Sequence, residues 1–175
     1  MALDLQSSIR TVPDFPKKGI MFRDITTLLK EPAMFRAAID MLADHYRGKK
    51  IDAVAGIESR GFILGAPLAY KLGVGFLPIR KPGKLPAAVS RQEYSLEYGT
   101  DAIEIHNDAL RPGMQVLLHD DLLATGGTMA AACALVEKLG GAVAGISFLI
   151  ELEALQGKSL LKGKEVFSLI RYETE

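Results

Sequence analysis

Net charge is the first thing this sequence lacks: its 175 residues carry 21 Lys and Arg against 21 Asp and Glu. A balanced surface argues against a protein that coats nucleic acid or an anionic membrane, although local basic patches remain compatible with it. Cysteine is almost absent. A lone Cys133 cannot staple the fold, and its place on the apolar face of a predicted helix makes it a buried thiol rather than a nucleophile or ligand. No cationic segment followed by an apolar core opens the chain at Met1-Ala2-Leu3-Asp4, and no apolar run reaches membrane-spanning length, so a cytoplasmic protein is expected. Internal repeats, low-complexity tracts and linkers are missing too. What is left, at 49% hydrophobic residues, is one globular domain long enough to bury a proper core.

What is present is organised around Gln115-Val116-Leu117-Leu118-His119-Asp120-Asp121-Leu122-Leu123-Ala124-Thr125-Gly126-Gly127-Thr128. The turn signal Arg111-Pro112-Gly113 precedes it, and the short apolar run 116–118 suits a buried central strand whose end the two carboxylates cap. Downstream, Met129, Ala132, Cys133, Val136 and Leu139 recur at helical spacing up to Gly140-Gly141, which places a helix start near Gly127 or Thr128. The loop between strand and helix therefore sits at a helix N-terminus. Gly126 and Gly127 accept backbone angles closed to other residues, so successive N–H groups turn toward one point, and Thr125 and Thr128 add hydroxyls. Such a point binds phosphate. Asp120 and Asp121, a few residues upstream, can accept hydrogen bonds from the vicinal hydroxyls of a sugar. Phosphate on one side and a diol on the other describe a ribose 5-phosphate.

Around this stretch the chain alternates strands and helices. Residues 3–9 read as a short amphipathic helix, residues 13–19 as a loop under two proline constraints, and residues 20–25 as an extended segment with Phe22 beside Arg23. On sequence physics alone that pair is a core phenylalanine and a solvated arginine. Pro32 suits a first helical residue, and Phe35, Ala38, Ile39, Leu42 and Tyr46 continue an amphipathic helix to about Gly48, with His45 on the surface at its end. Residues 53–57 form a strand leading into Glu58-Ser59-Arg60-Gly61 and a helix through Ile63, Leu64, Leu68 and Leu72. Arg60 then lies at the carboxyl end of a parallel strand, the edge where open α/β sheets bind ligands, and is placed to meet an anion.

The strand 73–79 is followed by Arg80, Lys81 and Lys84 around a turn, either a solvated basic loop or a second anion site. Residues 90–98 and 101–106 suggest a projecting hairpin that suits a lid, its second strand alternating as if half exposed with His106 outward. His119 is either a satisfied core imidazole, the reading we favour, or reaches the site. Residues 142–150 read as a buried strand, Leu152 just beyond it is core or pocket wall, and residues 166–170 are the last strand. Such alternation implies an α/β fold with a doubly wound, mostly parallel sheet.

Four mostly apolar residues, two acids and Thr125-Gly126-Gly127-Thr128 together resemble the phosphoribosyl pyrophosphate signature of the type I phosphoribosyltransferases, with His119 where that family usually has an aliphatic residue. Further segments widen the resemblance to the adenine-using members of the family: Pro13-Asp14-Phe15-Pro16, Phe22-Arg23-Asp24-Ile25, Ser59-Arg60-Gly61-Phe62, Arg80-Lys81-Pro82-Gly83-Lys84-Leu85-Pro86 and Tyr94-Ser95-Leu96-Glu97-Tyr98-Gly99. They run in order along nearly the whole chain. The fold implied is the type I phosphoribosyltransferase domain over residues 1–175. It would have a small hood from about residues 1–30 and the C-terminal part, and a flexible β-hairpin lid at about 84–105.

The resemblance also implies roles. Asp120, Asp121, Ala124, Thr125, Gly126, Gly127 and Thr128 would hold the ribose 5-phosphate, and Arg60, Arg80, Lys81 and Lys84 the pyrophosphate. Arg60 follows a Glu58-Ser59 peptide that in this family is often cis, although many relatives have Asp where this chain has Glu58. Phe22 would stack on adenine, Arg23 would read the purine edge through its backbone, and Leu152 would close the other ring face. Glu97 and Tyr98 would belong to the catalytic lid, with Glu97 handling the adenine proton. The reaction implied moves a 5-phosphoribosyl group from phosphoribosyl pyrophosphate to adenine N9, giving AMP and pyrophosphate. Mg²⁺ would ride on phosphoribosyl pyrophosphate without direct protein ligands, in a homodimer with no nucleic-acid or membrane partner. Two other readings stand beside it: transfer to another base, and a regulator that keeps the pocket as a sensor.

Overall fold

A computed structural model of the chain describes residues 4–95 and 99–173. In chain order its elements are β1 (Arg10–Pro13), β2 (Met21–Asp24), α1 (Thr26–Leu29), α2 (Pro32–Tyr46), β3 (Ala53–Ile57), α3 (Arg60–Leu72), β4 (Gly75–Ile79), β5 (Val89–Ser95), β6 (Thr100–His106), β7 (Gln115–Leu123), α4 (Gly127–Lys138), β8 (Ala142–Leu152) and β9 (Val166–Tyr172). Short 3₁₀ turns lie at Gln6–Ser8, Glu153–Leu155 and Gly157–Leu160. Five strands make one wholly parallel sheet in the order β4-β3-β7-β8-β9, as the alternating pattern requires.

Alternate residues of the central strands feed two cores. Ala55, Val116, Leu118, Ile146 and Phe148 pack with α4 on one face, while Val54 and Leu117 meet Leu42, Tyr46 and Leu68 from α2 and α3 on the other. Leu64 and Leu68 are fully buried, each worth about 1.5–3 kcal/mol of apolar transfer. Pro32 starts α2, where a missing N–H costs nothing, whereas Pro67 sits inside α3 and removes one of its hydrogen bonds without ending the helix.

Two small antiparallel hairpins stand outside this sheet. In the first, β1 pairs with β2 from Arg10↔Asp24 to Pro13↔Met21; of the described residues 4–9 before it, only Gln6–Ser8 make a helical turn, of 3₁₀ type, in place of the expected helix. The second, β5 with β6, is the hairpin expected from the sequence. Its second strand does not alternate, however. Ala102, Ile103, Glu104 and Ile105 are all buried, because α4 covers one side and Glu104 joins the sheet end through a bridge to Arg80. His106 is half-buried rather than outward, 3.4 Å from the Ala87 N–H.

His45 also departs from expectation. Instead of serving the end of α2 it stacks on Phe167, with ring centroids 3.7 Å apart, and meets Glu165 Oε1 at 3.0 Å. Cys133 is buried, and burial pushes its thiol up to about 11, as an inert thiol requires.

Candidate active site

The chain leaves β3 toward β4 on one side and later returns as β7 on the other, and ligands bind α/β sheets at such reversals. From β3 comes Glu58-Ser59-Arg60, with the Glu58–Ser59 peptide cis. From β7 come the acidic pair and residues 124–128. The acids do not follow the strand as expected but lie within it, since β7 runs on to Leu123 by pairing with the end of β8. Gly126 caps α4 with φ +87°. A Cβ on Gly126 would stand 2.4 Å from Gly157 O, and one on Gly157 would stand 2.2 Å from Ala124 O. Gly157, which the sequence does not single out, is thus the floor on which residues 124–126 rest.

Asp120 lines a small cavity of about 90 Å³ with residues 124–128. Asp121 is 3% exposed, and its Oδ2 lies 3.1 Å from Arg60 Nε without hydrogen-bond alignment. Burial first, then the neighbouring Asp121 charge, pushes the Asp120 carboxyl well above the usual range. Burial also raises Asp121, with Arg60 pulling it back. Two carboxylates poised this way favour a ligand that brings hydrogen-bond donors or positive charge to them.

Beside this lies a larger cavity of about 700 Å³, bordered by Thr125 and Gly127 and by Met21, Leu152, Leu155 and Leu160. It is the right size for a nucleotide-sized ligand, with an apolar side across from Thr125 and Gly127. Leu152, the last residue of β8, is a wall of it. Phe22 and Arg23 do not border it. Phe22 meets Phe15 edge-on at 5.1 Å, and the Arg60 guanidinium lies 5.5 Å from its ring centre. The Arg23 side chain turns away to Thr11 at 2.7 Å and stacks 3.9 Å over Tyr172, which leaves only its backbone for a ligand.

The basic turn after β4 is tied to carboxylates. Arg80 grips Glu58 through Nε at 3.2 Å and Nη2 at 2.9 Å, and donates to the Lys84 carbonyl at 3.1 Å. Lys81 Nζ pairs with Asp101 and donates to Tyr94 Oη at 2.9 Å. Neither Tyr94 nor Asp101 stands out as a site residue in the sequence, because only the hairpin register puts them opposite each other. Glu97 and Tyr98 lie outside the described residues, between Ser95, which borders the large cavity, and Gly99. A hollow of about 190 Å³ at the other end of the sheet is lined by Arg47, Lys49 and Lys71, and all three are paired, to Asp44, Glu165 and Asp40.

His119 is the core imidazole we favoured, although only half satisfied. Ser147 Oγ donates to Leu118 O at 3.3 Å, so the 2.8 Å contact to His119 Nδ1 assigns the proton to Nδ1, and Nε2 is left buried without a partner. Burial draws its pKa down to about 4. The unfolded chain, at about 6.5, therefore takes up a proton first. Stability is full above pH 6.5, declines between 6.5 and 4 by about 3 kcal/mol in all, and loses nothing more to this group below 4. Urea titrations across that window should show the decline in the native chain and its absence in His119→Leu; parallel curves would refute it.

Residues 24–174 match the model of the phosphoribosyl transferase domain. An adenine phosphoribosyltransferase from Chlorobium phaeovibrioides is 60% identical over 177 residues, covering 99% of this chain and all of that one. Among solved structures, the adenine phosphoribosyltransferase of Thermoanaerobacter pseudethanolicus superposes with a TM-score of 0.94 at 55% identity, over 96% of this chain and 98% of that one. That of Saccharomyces cerevisiae, complexed with adenine and an imino-altritol bisphosphate, gives 0.89 at 41% identity, over 94% and 96%.

Proposed function

The chain belongs to the adenine phosphoribosyltransferases within the phosphoribosyltransferase family, and from that premise we propose which of its residues carry the reaction. The enzyme transfers a 5-phosphoribosyl group from phosphoribosyl pyrophosphate to adenine N9, giving AMP and pyrophosphate. One observation supports the assignment of roles above the others: a cavity of about 700 Å³ is bordered by Thr125 and Gly127 of the glycine loop and by the apolar side chains of Leu152, Leu155 and Leu160. Ala124, Thr125, Gly126, Gly127 and Thr128 would take the 5-phosphate, and Asp120 and Asp121 the ribose hydroxyls. Arg60, Arg80, Lys81 and Lys84 would stabilise the departing pyrophosphate. Phe22, the Arg23 backbone and Leu152 would hold adenine. Alignment of two reactants is worth up to about 7–11 kcal/mol, and charge stabilisation at the leaving group adds to it.

Among the described residues no three His, Cys, Asp or Glu stand together to hold a metal by protein donors alone. Mg²⁺ would ride on phosphoribosyl pyrophosphate, held by its oxygens and by water without direct protein ligands, which leaves Asp120 and Asp121 to the ribose hydroxyls. When bound, the ion would neutralise charge on pyrophosphate. The hood over residues 1–30, the lid at 84–105, a cytoplasmic location and a homodimer belong to the same proposal. For the dimer, Met41, Ile63 and Tyr70 are exposed on the neighbouring helices α2 and α3, and a monomer in sedimentation equilibrium would remove it.

Assaying pyrophosphate release with each base in turn, in the presence of phosphoribosyl pyrophosphate and Mg²⁺, tests the assignment. Adenine should be used; transfer only to another base would overturn the choice of base, and binding without turnover would favour a sensor. Glu97 is proposed to accept the proton that leaves adenine. Glu97→Gln should lower turnover toward the bottom of the ~10²–10⁴-fold range and leave phosphoribosyl pyrophosphate affinity as it was. Unchanged kcat would remove Glu97 from that role.

A further inference from the structure

Lys81 and Arg80 are both neutralised within the chain, but in different ways. Glu58 holds Arg80 through two nitrogens and also accepts the Lys81 backbone N–H at 3.0 Å, and its side chain is 17% exposed. Such a fork is fixed. Asp101 holds Lys81 by one contact, with side chains 40% and 33% exposed for lysine and aspartate. The aspartate has other donors. Its Oδ1 accepts the Ala102 N–H at 2.7 Å, and its Oδ2 accepts Tyr94 Oη–H at 3.1 Å. If Lys81 leaves, Asp101 and Tyr94 remain paired with each other, so no buried charge is stranded and the exchange costs little. Hydrogen bonds from Lys81 and then Ala102 keep the Asp101 carboxyl below its ordinary range, so it is an anion throughout the neutral region.

The pair also sits where an exchange would be felt. Tyr94 and Asp101 are cross-strand partners of β5 and β6. A methyl group built on Gly127 would lie 3.6 Å from the Tyr94 ring and 3.5 Å from Ser95 O, so this part of the hairpin rests on the phosphate loop. Taking Lys81 as a pyrophosphate contact, as proposed above, we infer that Asp101 is its resident counter-ion, displaced when phosphoribosyl pyrophosphate binds and restored when pyrophosphate departs. Asp101 thereby acts through Lys81 and is a positioning residue, with Tyr94 holding it in register.

Removing a competitor strengthens what it competes with. Calorimetry of Mg²⁺-pyrophosphate on the whole enzyme should show Asp101→Asn binding about threefold tighter than the native chain, the range expected for a part-exposed ion pair. Asparagine keeps one oxygen for the Ala102 N–H, and its amide NH₂, where Oδ2 stood, can donate to Tyr94 Oη, so the hairpin is kept. Asp101→Glu should return the native affinity, and the gain should fade in high salt. In a Lys81→Ala background Asp101→Asn should change nothing. Weaker or equal binding by Asp101→Asn, or a gain that persists without Lys81, overturns the inference while leaving Lys81 in place. If Lys81→Ala alone loses no pyrophosphate affinity, the reading of Lys81 falls, and the counter-ion role with it.

Discussion

Gly126→Val is expected to weaken phosphoribosyl pyrophosphate binding about 10³-fold and to lower the melting temperature, in a protein that still folds. Two costs coincide at this residue. Its φ of +87° is closed to a β-branched side chain, and a left-handed residue of ordinary type costs roughly 1–2 kcal/mol even without branching. The added Cβ would also stand 2.4 Å from the Gly157 carbonyl oxygen, a backbone atom that cannot swing aside. Overpacking of this kind costs about 1–3 kcal/mol. The chain can escape only by moving the loop, whose amides are proposed to take the 5-phosphate. Losing two charge-assisted hydrogen bonds at about 1.5–3 kcal/mol each accounts for the thousandfold loss. Gly157→Ala should act in the same direction, since its Cβ would meet Ala124 O at 2.2 Å. Calorimetry with phosphoribosyl pyrophosphate and Mg²⁺ reads the effect directly; native affinity in Gly126→Val would show that the loop does not need this geometry.

That dependence on Gly157 shows where sequence reasoning ended. The strand β3, the start of α4 and the glycine loop were legible because each is written in neighbouring residues: an apolar run, a helical period, a pair of glycines. Contacts between distant segments were not. Residues 3–9 carry a helical pattern, yet only the 3₁₀ turn Gln6–Ser8 forms there, and from Arg10 the chain enters β1, laddered by β2 over ten residues later. The acids were expected beyond the strand, and β7 includes them because β8 is long enough to pair with Leu122 and Leu123. Alternation in 101–106 read as one wet face, and both faces turned out to be covered by elements the local pattern cannot see. Local physics left Arg80 and Lys81 as a solvated loop or a second anion site and the resemblance assigned them to pyrophosphate, but neither carried a sign of Asp101.

Exchanging both acids for their amides, Asp120→Asn with Asp121→Asn, is expected to cut phosphoribosyl pyrophosphate affinity by about 10²–10⁴-fold and at the same time to stabilise the free enzyme at pH 7. The loss follows from two ionised acceptors, each worth about 1.5–3 kcal/mol to a hydroxyl donor, becoming neutral ones. The gain follows from the direction in which the fold moves these groups. Both carboxyls are raised, Asp120 well above the ordinary range, by burial and, at Asp120, by the neighbouring charge of Asp121, so the folded state resists ionising them more than the unfolded chain does. For acids shifted upward, stability is complete below the unfolded value near 4 and is lost as pH rises through the folded values. The amides cannot ionise and escape that loss. An amide side chain at position 120 keeps an oxygen for the backbone N–H of residue 121, which in the native chain bonds Asp120 Oδ1 at 2.9 Å. Arg60, left without the Asp121 charge, is 41% exposed and can turn to water. Denaturant curves should therefore separate the variant from the native enzyme at pH 7 and converge near pH 4. A variant that is less stable at both values would mean that the acids hold the strand end together, and that their cost in the free enzyme is not kept for the sake of the sugar.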